Sequence, residues 1–233
     1  MSSQPPNTPG ARPVQFDPAN VPVLGVDSHL PAIPMSALRA EALQQRFASP
    51  SVWVPEVRAE PLFTERKLLR AAVLIPIVMR EQLTVLLTER TSHLSSHSGQ
   101  IAFPGGKTDE EDSDATATAL REAFEEVGLD PAFVEVLGAL PDYMTGSAFQ
   151  VTPIVALVRP GFRLALNANE VADVFEVPLA YLMNPAHHQR QVIEWEGVRR
   201  EWFAMPYQDQ VKQRFIWGAT AGMLRNLYRL LLA

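Results

Sequence analysis

Three carboxylates near the middle of the chain have a spacing that could bind a metal ion. They are Glu122, Glu125 and Glu126, and they lie within one turn of a predicted helix. Apolar residues of the same segment recur at i, i+3, i+4 and i+7, which predicts one buried stripe: Leu120, Ala123, Phe124 and Val127. We therefore expect the carboxylates on the opposite face. Their repulsion costs about 0.2–0.5 kcal/mol per i, i+4 pair unless a hard cation such as Mg²⁺ or Mn²⁺ binds them.

The ends of this helix are marked by residues that favour helix termini. Asp112, Ser113 and Asp114 can each cap its N-terminus, and Gly128 can end it. A solvated acidic face is the alternative interpretation of such a cluster, because charged residues are mostly exposed. That interpretation predicts that Glu126→Gln leaves metal affinity unchanged.

A glycine pair precedes the helix in the segment Phe103-Pro104-Gly105-Gly106. Glycines allow the backbone to approach a ligand or metal closely, because they carry no Cβ. Arg121 lies next to the carboxylates and can hold one of them or brace the loop. The loop and the helix together thus predict a metal site better than the helix alone.

The segment resembles the Nudix box, whose usual form is G-x₅-E-x₇-R-E-U-x-E-E-x-G-U, with U aliphatic. The matching residues are Arg121, Glu122, Ala123, Glu125, Glu126, Gly128 and Leu129. Gly106 and Arg121 enclose one residue more than usual, and the glutamate in the middle of the box is absent. We expect Asp112 to brace the loop in its place. The resemblance implies an α/β fold, a Nudix-type α/β/α sandwich with a mixed central sheet.

A second segment narrows the resemblance to one branch of this family. LLTERTSHLSSHSGQIAFPGG, residues 86–106, is similar to the signature LLT-x-R-x₃-L-x₂-H-x-GQ-x-x-FPGG of the coenzyme A diphosphatase branch. The longer box is also typical of that branch. The likeness continues at residues 169–171, 177–179 and 215–227, so it covers about residues 68–232.

This resemblance implies metal-dependent hydrolysis of the pyrophosphate bond of coenzyme A, giving 4′-phosphopantetheine and adenosine 3′,5′-bisphosphate. It implies that Mg²⁺ or Mn²⁺ is held by Glu122, Glu125, Glu126 and a carbonyl of Gly105 or Gly106. The implied catalytic residues are Glu125, Glu126 and Glu170, the last as general base or further metal ligand. The residues expected to meet substrate phosphates are Arg90, His97 and Lys107.

Some of these residues have other interpretations. Glu170 could instead stabilise the N-terminus of a helix that runs through Phe175. His93 and His97 are four apart, as zinc-binding histidines are on a helix, but the surrounding serines disfavour a helix and no third ligand is near. Tyr143 could stack on adenine or be a partly buried aromatic residue.

Two rival functions remain open. The first is hydrolysis of another nucleoside diphosphate derivative, such as ADP-ribose, NADH or a dinucleotide. The second is a Nudix-fold binding module without turnover. Such modules usually lose a glutamate of the box, and this chain keeps all three.

Composition limits the remaining classes of function. The 233 residues carry a formal net charge of −6, which argues against nucleic acid and anionic membranes as partners. There is no cysteine, so disulfides, thiolate metal sites and cysteine nucleophiles are excluded. No signal peptide or membrane helix is evident in the sequence. We expect a cytoplasmic protein acting on a small molecule, with a homodimer left open.

The pattern also predicts how the chain is divided. Residues 1–33 are rich in proline and are expected to form a flexible arm outside the core, followed by a Nudix hydrolase domain at 34–233. Pro76 predicts an edge position or a bulge. The expected helices lie at about 34–47 and 215–232, and the expected strands at 68–78, 84–88, 134–140, 151–158, 192–195 and 202–205.

Overall fold

The structure, a computed structural model, describes residues 17–62, 64–91, 99–195 and 197–233. The helices in these residues are α1 (Ala40–Ala48), α2 (Ala115–Val127), α3 (Leu179–Leu182) and α4 (Gly218–Leu232). The strands are β1 (Val23–Val26), β2 (Leu69–Val78), β3 (Thr84–Arg90), β4 (Ile101–Ala102), β5 (Gly105–Lys107), β6 (Val134–Ala139), β7 (Tyr143–Met144), β8 (Phe149–Val158), β9 (Val171–Pro178), β10 (Gln189–Trp195), β11 (Val198–Gln208) and β12 (Gln213–Trp217). None of the described helices combines the length and apolar character that crossing a membrane requires.

The strands form two sheets. In the larger sheet the order is β4-β3-β2-β8-β6, with β5 on β2, β7 on β8 and β9 on β3. Strands β2 and β8 run parallel from the pair Leu69–Phe149 to the pair Val78–Val158, whereas their other neighbours are antiparallel. The smaller sheet, β1-β10-β11-β12, is antiparallel throughout. The predicted α/β fold with a mixed sheet is therefore confirmed.

Strand β2 is apolar on both faces because a helix covers each face. Ala72 and Leu74 belong to the core cluster that contains residues of α2. Ile75 and Ile77 belong to the cluster that contains residues of α4. A nearly continuous apolar run is what a strand needs when both of its faces are buried. The layer order is thus α2, the larger sheet and α4.

The predicted hairpin between β2 and β3 is confirmed by the pair Ile77–Val85. Pro76, in contrast, does not lie at a sheet edge or bulge, because β2 has neighbours on both sides and Pro76 pairs with Ala156 of β8. On the other side of β2, pairing with β5 ends at Val73 and pairing with β3 starts at Ile77. Pro76 lies in the interval between these two partners, which is how the central strand accommodates it.

Residues 17–33 belong to the fold, which corrects the expectation that all of 1–33 lies outside the core. Strand β1 pairs with β10, with Val26 opposite Gln189. Ile33 is buried, and its N–H donates to the carbonyl of Met183 at 3.1 Å. The sequence pattern did not predict β1, because the segment is rich in proline, the strand is short and its partner strand lies far along the chain.

Two predicted helices begin later than expected. The first starts at Ala40 rather than at residue 34. The last starts at Gly218, because Phe215 and Ile216 extend strand β12 and pair with Pro206 and Met205 of β11. Apolar residues that continue the period of a helix can thus belong to the strand that precedes it.

Arg225 of α4 joins this helix to the N-terminal segment, and its side chain is 1% exposed. It contacts Glu56 at 2.7 Å and Asp27 at 2.9 Å. Its Nη1 donates to Nδ1 of His188 at 3.0 Å, while His188 Nε2 lies 2.7 Å from the carbonyl of Leu182. Burial and the charge of Arg225 lower the pKa of His188 to about 4, so the ring is neutral and its proton is on Nε2.

We expect Arg225→Ala to lower the free energy of unfolding by about 3 kcal/mol, because removing one partner of a buried ion pair leaves charge uncompensated. Urea unfolding at neutral pH measures the loss. Arg229→Ala is the matched control: Arg229 lies one turn later, 38% exposed and 3.8 Å from Glu56. Its loss should stay below about 1 kcal/mol. Equal losses in the two variants would contradict the assigned role of Arg225.

Candidate functional site

Helix α2 is fixed at both ends by local interactions. The side chain of Asp114 accepts a hydrogen bond from the N–H of Ala117 at 2.8 Å, which confirms one of the three predicted caps. Gly128 ends the helix with φ of 69°. A Cβ at Gly128 would lie 2.8 Å from the amide nitrogen of Ala165, so glycine is required there by conformation and by space.

The three carboxylates of α2 differ in exposure, which corrects the expectation that all of them lie on one exposed face. The Glu125 side chain is 55% exposed and that of Glu122 is 17% exposed, whereas Glu126 as a whole residue is 3% exposed. Phe124, predicted to be buried, is 55% exposed. The helix is rotated so that Glu126 lies beside Ala123 on its buried face.

Glu126 meets the glycine loop and strand β3. The N–H of Gly105 donates to Glu126 Oε2 at 3.1 Å, and Arg90 Nη1 lies 3.5 Å from Oε1. Burial raises the pKa of Glu126 to about 7. The charges of Glu122 and Glu170 act in the same direction, while Gly105 and Arg90 oppose the shift. The carboxylate is therefore desolvated and incompletely neutralised.

Close approach to the backbone of β2 requires Gly105, whereas Gly106 approaches the movable end of a side chain. A Cβ at Gly105 would lie 2.5 Å from the carbonyl oxygen of Ala72 on β2. A Cβ at Gly106 would lie 2.5 Å from the carboxylate atoms of Glu122. The pair thus lets β5 fit between β2 and α2, which brings the backbone of the loop against the carboxylates.

The structure confirms that Asp112 braces the loop. Arg121 donates to Asp112 through Nε at 3.0 Å and Nη2 at 2.8 Å, and Nη2 also donates to the carbonyl of Lys107 at 3.1 Å. Asp112 Oδ2 accepts further bonds from the N–H of Asp109 and from Thr118 Oγ1, each at 2.9 Å. The bonds from Arg121 hold the pKa of Asp112 well below its usual range.

Arg121 also holds two of the helix carboxylates. Its Nη1 lies 3.0 Å from Glu122 Oε1 and 3.1 Å from Glu125 Oε2. Burial nevertheless raises the pKa of Glu122 above its usual value. The guanidinium of Arg121, which Asp112 holds in place, thus orients both carboxylates. It does not fully compensate the burial of the Glu122 charge.

Glu170 lies in the loop before β9, close enough for its charge to raise the pKa of both Glu122 and Glu126. The residues that follow, Val171–Pro178, form a strand. The alternative interpretation of Glu170 as the first turn of a helix is therefore wrong. Its carbonyl accepts a hydrogen bond from the N–H of Thr91 at 2.9 Å, which ties the loop to the end of β3.

The remaining predicted residues are placed as follows. His93 and His97 lie in the interval 92–98, outside the described residues, so the substrate and zinc interpretations both remain predictions. Lys107 is exposed at the end of β5, where it pairs with Ala71 of β2 and its carbonyl accepts a hydrogen bond from Arg121.

Tyr143 is buried under the α4 layer rather than open to a ligand. It is 2% exposed, and its hydroxyl donates to Glu60 at 2.9 Å. A Cβ on Gly222 of α4 would lie 2.7 Å from its ring. These contacts make Tyr143 a core residue and not an adenine platform.

Sequence reasoning missed Thr118, Thr91 and Asn167. Each is uncharged and occupies no specified position of a motif, and each holds a charged residue of the site through hydrogen bonds that only the folded chain reveals. The hydroxyl of Thr118 is the clearest case, because its position on α2 is otherwise a core position with no exposure. The predicted apolar stripe does not include position 118, so the sequence carried no signal for this residue.

The donor set fits a hard divalent cation. Carboxylate oxygens are the ligands that Mg²⁺ and Mn²⁺ prefer, and burial, together with neighbouring carboxylates, raises the pKa of Glu126 and Glu122, a tendency that a bound cation would oppose. As they stand, no three acidic or imidazole side chains in the described part of the chain are grouped as ligands of one ion. Arg121 holds Glu122 and Glu125, so these carboxylates must turn from it to share a cation with Glu126.

We expect the metal-free protein to lose stability as the pH rises. The pKa of Glu126 is about 7 in the folded chain against an ordinary value of 4.5. The folded chain thus keeps a proton that the unfolded chain releases. The resulting stabilisation is complete below pH 4.5 and is lost as the pH rises through about 7, a change of roughly 3 kcal/mol. Urea unfolding across this range should show a flatter dependence for Glu126→Gln.

Glu125→Gln is the control for this measurement, since Glu125 lies on the same helix with its side chain 55% exposed. It should keep the native pH dependence. If Glu126→Gln also kept it, another group would have to be its source.

Comparison with known proteins places these features in one family. A family model described as NUDIX domain matches residues 68–208. A protein named uncharacterized Nudix hydrolase NudL from Shigella flexneri serotype 5b (strain 8401) is 41% identical over 174 residues, covering 74% of this chain and 86% of that protein. The protein of the same name from Escherichia coli (strain K12) is 43% identical over 159 residues, covering 68% and 80%.

Solved structures show weaker similarity. The structure of a Caenorhabditis elegans Ap4A hydrolase in a binary complex is 19% identical and covers 51% of this chain and 86% of its own, with a TM-score of 0.42. That score is too low to support an argument about substrate.

Proposed function

The chain belongs to the Nudix hydrolase family, and we propose that the nucleoside diphosphate derivative it hydrolyses is coenzyme A. The products would be 4′-phosphopantetheine and adenosine 3′,5′-bisphosphate. The contact between Arg90 and Glu126 carries this proposal. It joins the segment that resembles the coenzyme A diphosphatase branch to the buried carboxylate of the box, so both motifs serve one site.

Nudix hydrolases in general require a divalent metal ion, and the residues that would hold Mg²⁺ or Mn²⁺ here are Glu122, Glu125, Glu126 and the carbonyl of Gly105. When bound, the ion neutralises pyrophosphate oxygens and makes a water molecule more acidic. The chain contributes a desolvated carboxylate at Glu126, where electrostatic interactions are stronger than in water. The bidentate bond that Arg121 donates to Asp112 would keep Arg121 in place if Glu122 and Glu125 turned toward the ion.

Two further residues have roles in this proposal. Glu170 accepts the proton of the attacking water, because it is the carboxylate outside the helix whose charge reaches Glu126 and Glu122. Arg90 donates to a substrate phosphate oxygen. Its Nε is buried and has no hydrogen-bond partner among the described residues, so it retains a free donor beside Glu126.

Mass spectrometry of products formed from coenzyme A in heavy-oxygen water tests the proposal. We expect 4′-phosphopantetheine and adenosine 3′,5′-bisphosphate, with one heavy oxygen on the product whose phosphorus was attacked, and only in the presence of Mg²⁺ or Mn²⁺. Glu126→Gln should lower turnover at least 100-fold. Cleavage of ADP-ribose or NADH with no cleavage of coenzyme A would support the rival substrate class. No turnover of any of them would favour a binding module.

The position of Arg90 predicts which part of the substrate it meets. Arg90→Gln should lower kcat/KM roughly 30-fold, for the loss of one charged hydrogen bond worth about 2 kcal/mol. The loss should be equal for coenzyme A and for its analogue lacking the 3′-phosphate, since Arg90 lies at Glu126, beside the expected pyrophosphate.

Arg80→Gln is the matched control, because Arg80 lies near the opposite end of β3 and also pairs with a glutamate, Glu176, at 2.7 Å. It should leave kcat/KM within twofold of the native value. A loss confined to coenzyme A would instead assign Arg90 to the 3′-phosphate.

A further inference from the structure

Asn167 connects helix α2 to the loop that carries Glu170. Its backbone N–H donates to the carbonyl of Glu126 at 2.9 Å. Its own carbonyl accepts from the N–H groups of Glu170 and Val171, each at 2.9 Å. Asn167 therefore forms hydrogen bonds with the backbones of both Glu126 and Glu170, which lie on separate elements.

The side chain of Asn167 adds to this connection. Its Oδ1 accepts from the N–H of Asn169 at 3.2 Å, which forms a tight turn, and its Nδ2 donates to Glu170 Oε1 in a longer contact of 3.4 Å. Thr91 anchors the other side of the turn. Its N–H donates to the carbonyl of Glu170 at 2.9 Å and its hydroxyl to the carbonyl of Asn169 at 3.1 Å. The loop is thus fixed to α2 and to the end of β3.

This anchoring opposes an electrostatic force. The charges of Glu170 and Glu126 repel each other across a desolvated region, as the raised pKa of Glu126 indicates. A carboxylate on an unanchored loop would move toward solvent and leave the site. Hydrogen bonds to the backbone and to Glu170 Oε1 hold it in place instead.

We propose that Asn167 is a positioning residue that fixes Glu170 relative to Glu126, with Thr91 as the second anchor. This inference rests on the proposed function, because it acts through the role given there to Glu170. Since the charge of Glu170 reaches both Glu122 and Glu126, its position affects the affinity of the site for a cation as well as proton transfer.

Asn167→Ser tests this role without adding charge. A serine hydroxyl can still accept the N–H two residues later and so retains the turn, but it cannot reach Glu170. Asn184→Ser is the matched control. Asn184 Oδ1 accepts from the N–H of Ala186 at 3.1 Å, the same i, i+2 bond, in a loop far along the chain from the box. The two serine variants should unfold at similar temperatures. Any difference in activity between them then reports the position of Glu170 and not the loss of a turn.

A double-mutant cycle with Glu170→Gln supplies the decisive readouts. In the native background Asn167→Ser should lower kcat at least tenfold with KM within twofold. It should also weaken binding of Mn²⁺, measured without substrate by electron paramagnetic resonance, three- to tenfold. In the Glu170→Gln background Asn167→Ser should change neither quantity further, and Asn184→Ser should change neither in any background.

Equal losses in both backgrounds would overturn the proposal, because they would show a structural role that does not act through Glu170. Native kcat and native Mn²⁺ affinity in Asn167→Ser would overturn it as well. If the unaltered chain binds Mn²⁺ but does not cleave coenzyme A, the proposed substrate fails while the manganese cycle still decides the role of Asn167. A native chain that binds no Mn²⁺ would overturn both.

Discussion

The burial of one carboxylate, that of Glu126, constrains the rest of the site. Water is removed from this group, and among the described residues one backbone N–H, from Gly105, and one guanidinium at 3.5 Å, from Arg90, replace it. The folded chain therefore holds a charge deficit whose natural complement is a cation. The rotation of α2 brings this carboxylate toward the sheet. The glycine pair and the end of β3 place a backbone donor and a side-chain donor against it.

Support for the site is spread over elements that are distant in sequence. Asp112 braces Arg121 from the loop before α2, and Asn167 holds Glu170 from the loop before β9. The larger sheet fixes the positions of these loops because β2 pairs with β5, β3 and β8 at once. Carboxylates that repel one another are thus kept together by the larger sheet and by uncharged hydrogen-bonding residues, among them Thr118.

Local patterns predicted those parts of the fold that local forces determine. The cap at Asp114, the stop at Gly128 and the hairpin between β2 and β3 follow from residues that are near in sequence. The rotation of α2 does not, because Glu126 lies at the margin of the apolar stripe and its contacts with Gly105 and Arg90 form only in the folded chain. The same limit applies to Val23–Val26, whose partner strand lies far along the chain.

The pairing of β1 with β10 and of Asp27 with Arg225 has a consequence for synthesis of the chain on the ribosome. Strand β1 must wait for a partner strand that is translated much later. Until β10 emerges, strand Val23–Val26 lacks its partner strand and the carboxylate of Asp27 lacks Arg190. Ribosome-bound intermediates therefore expose an unpaired strand edge that chaperones can recognise.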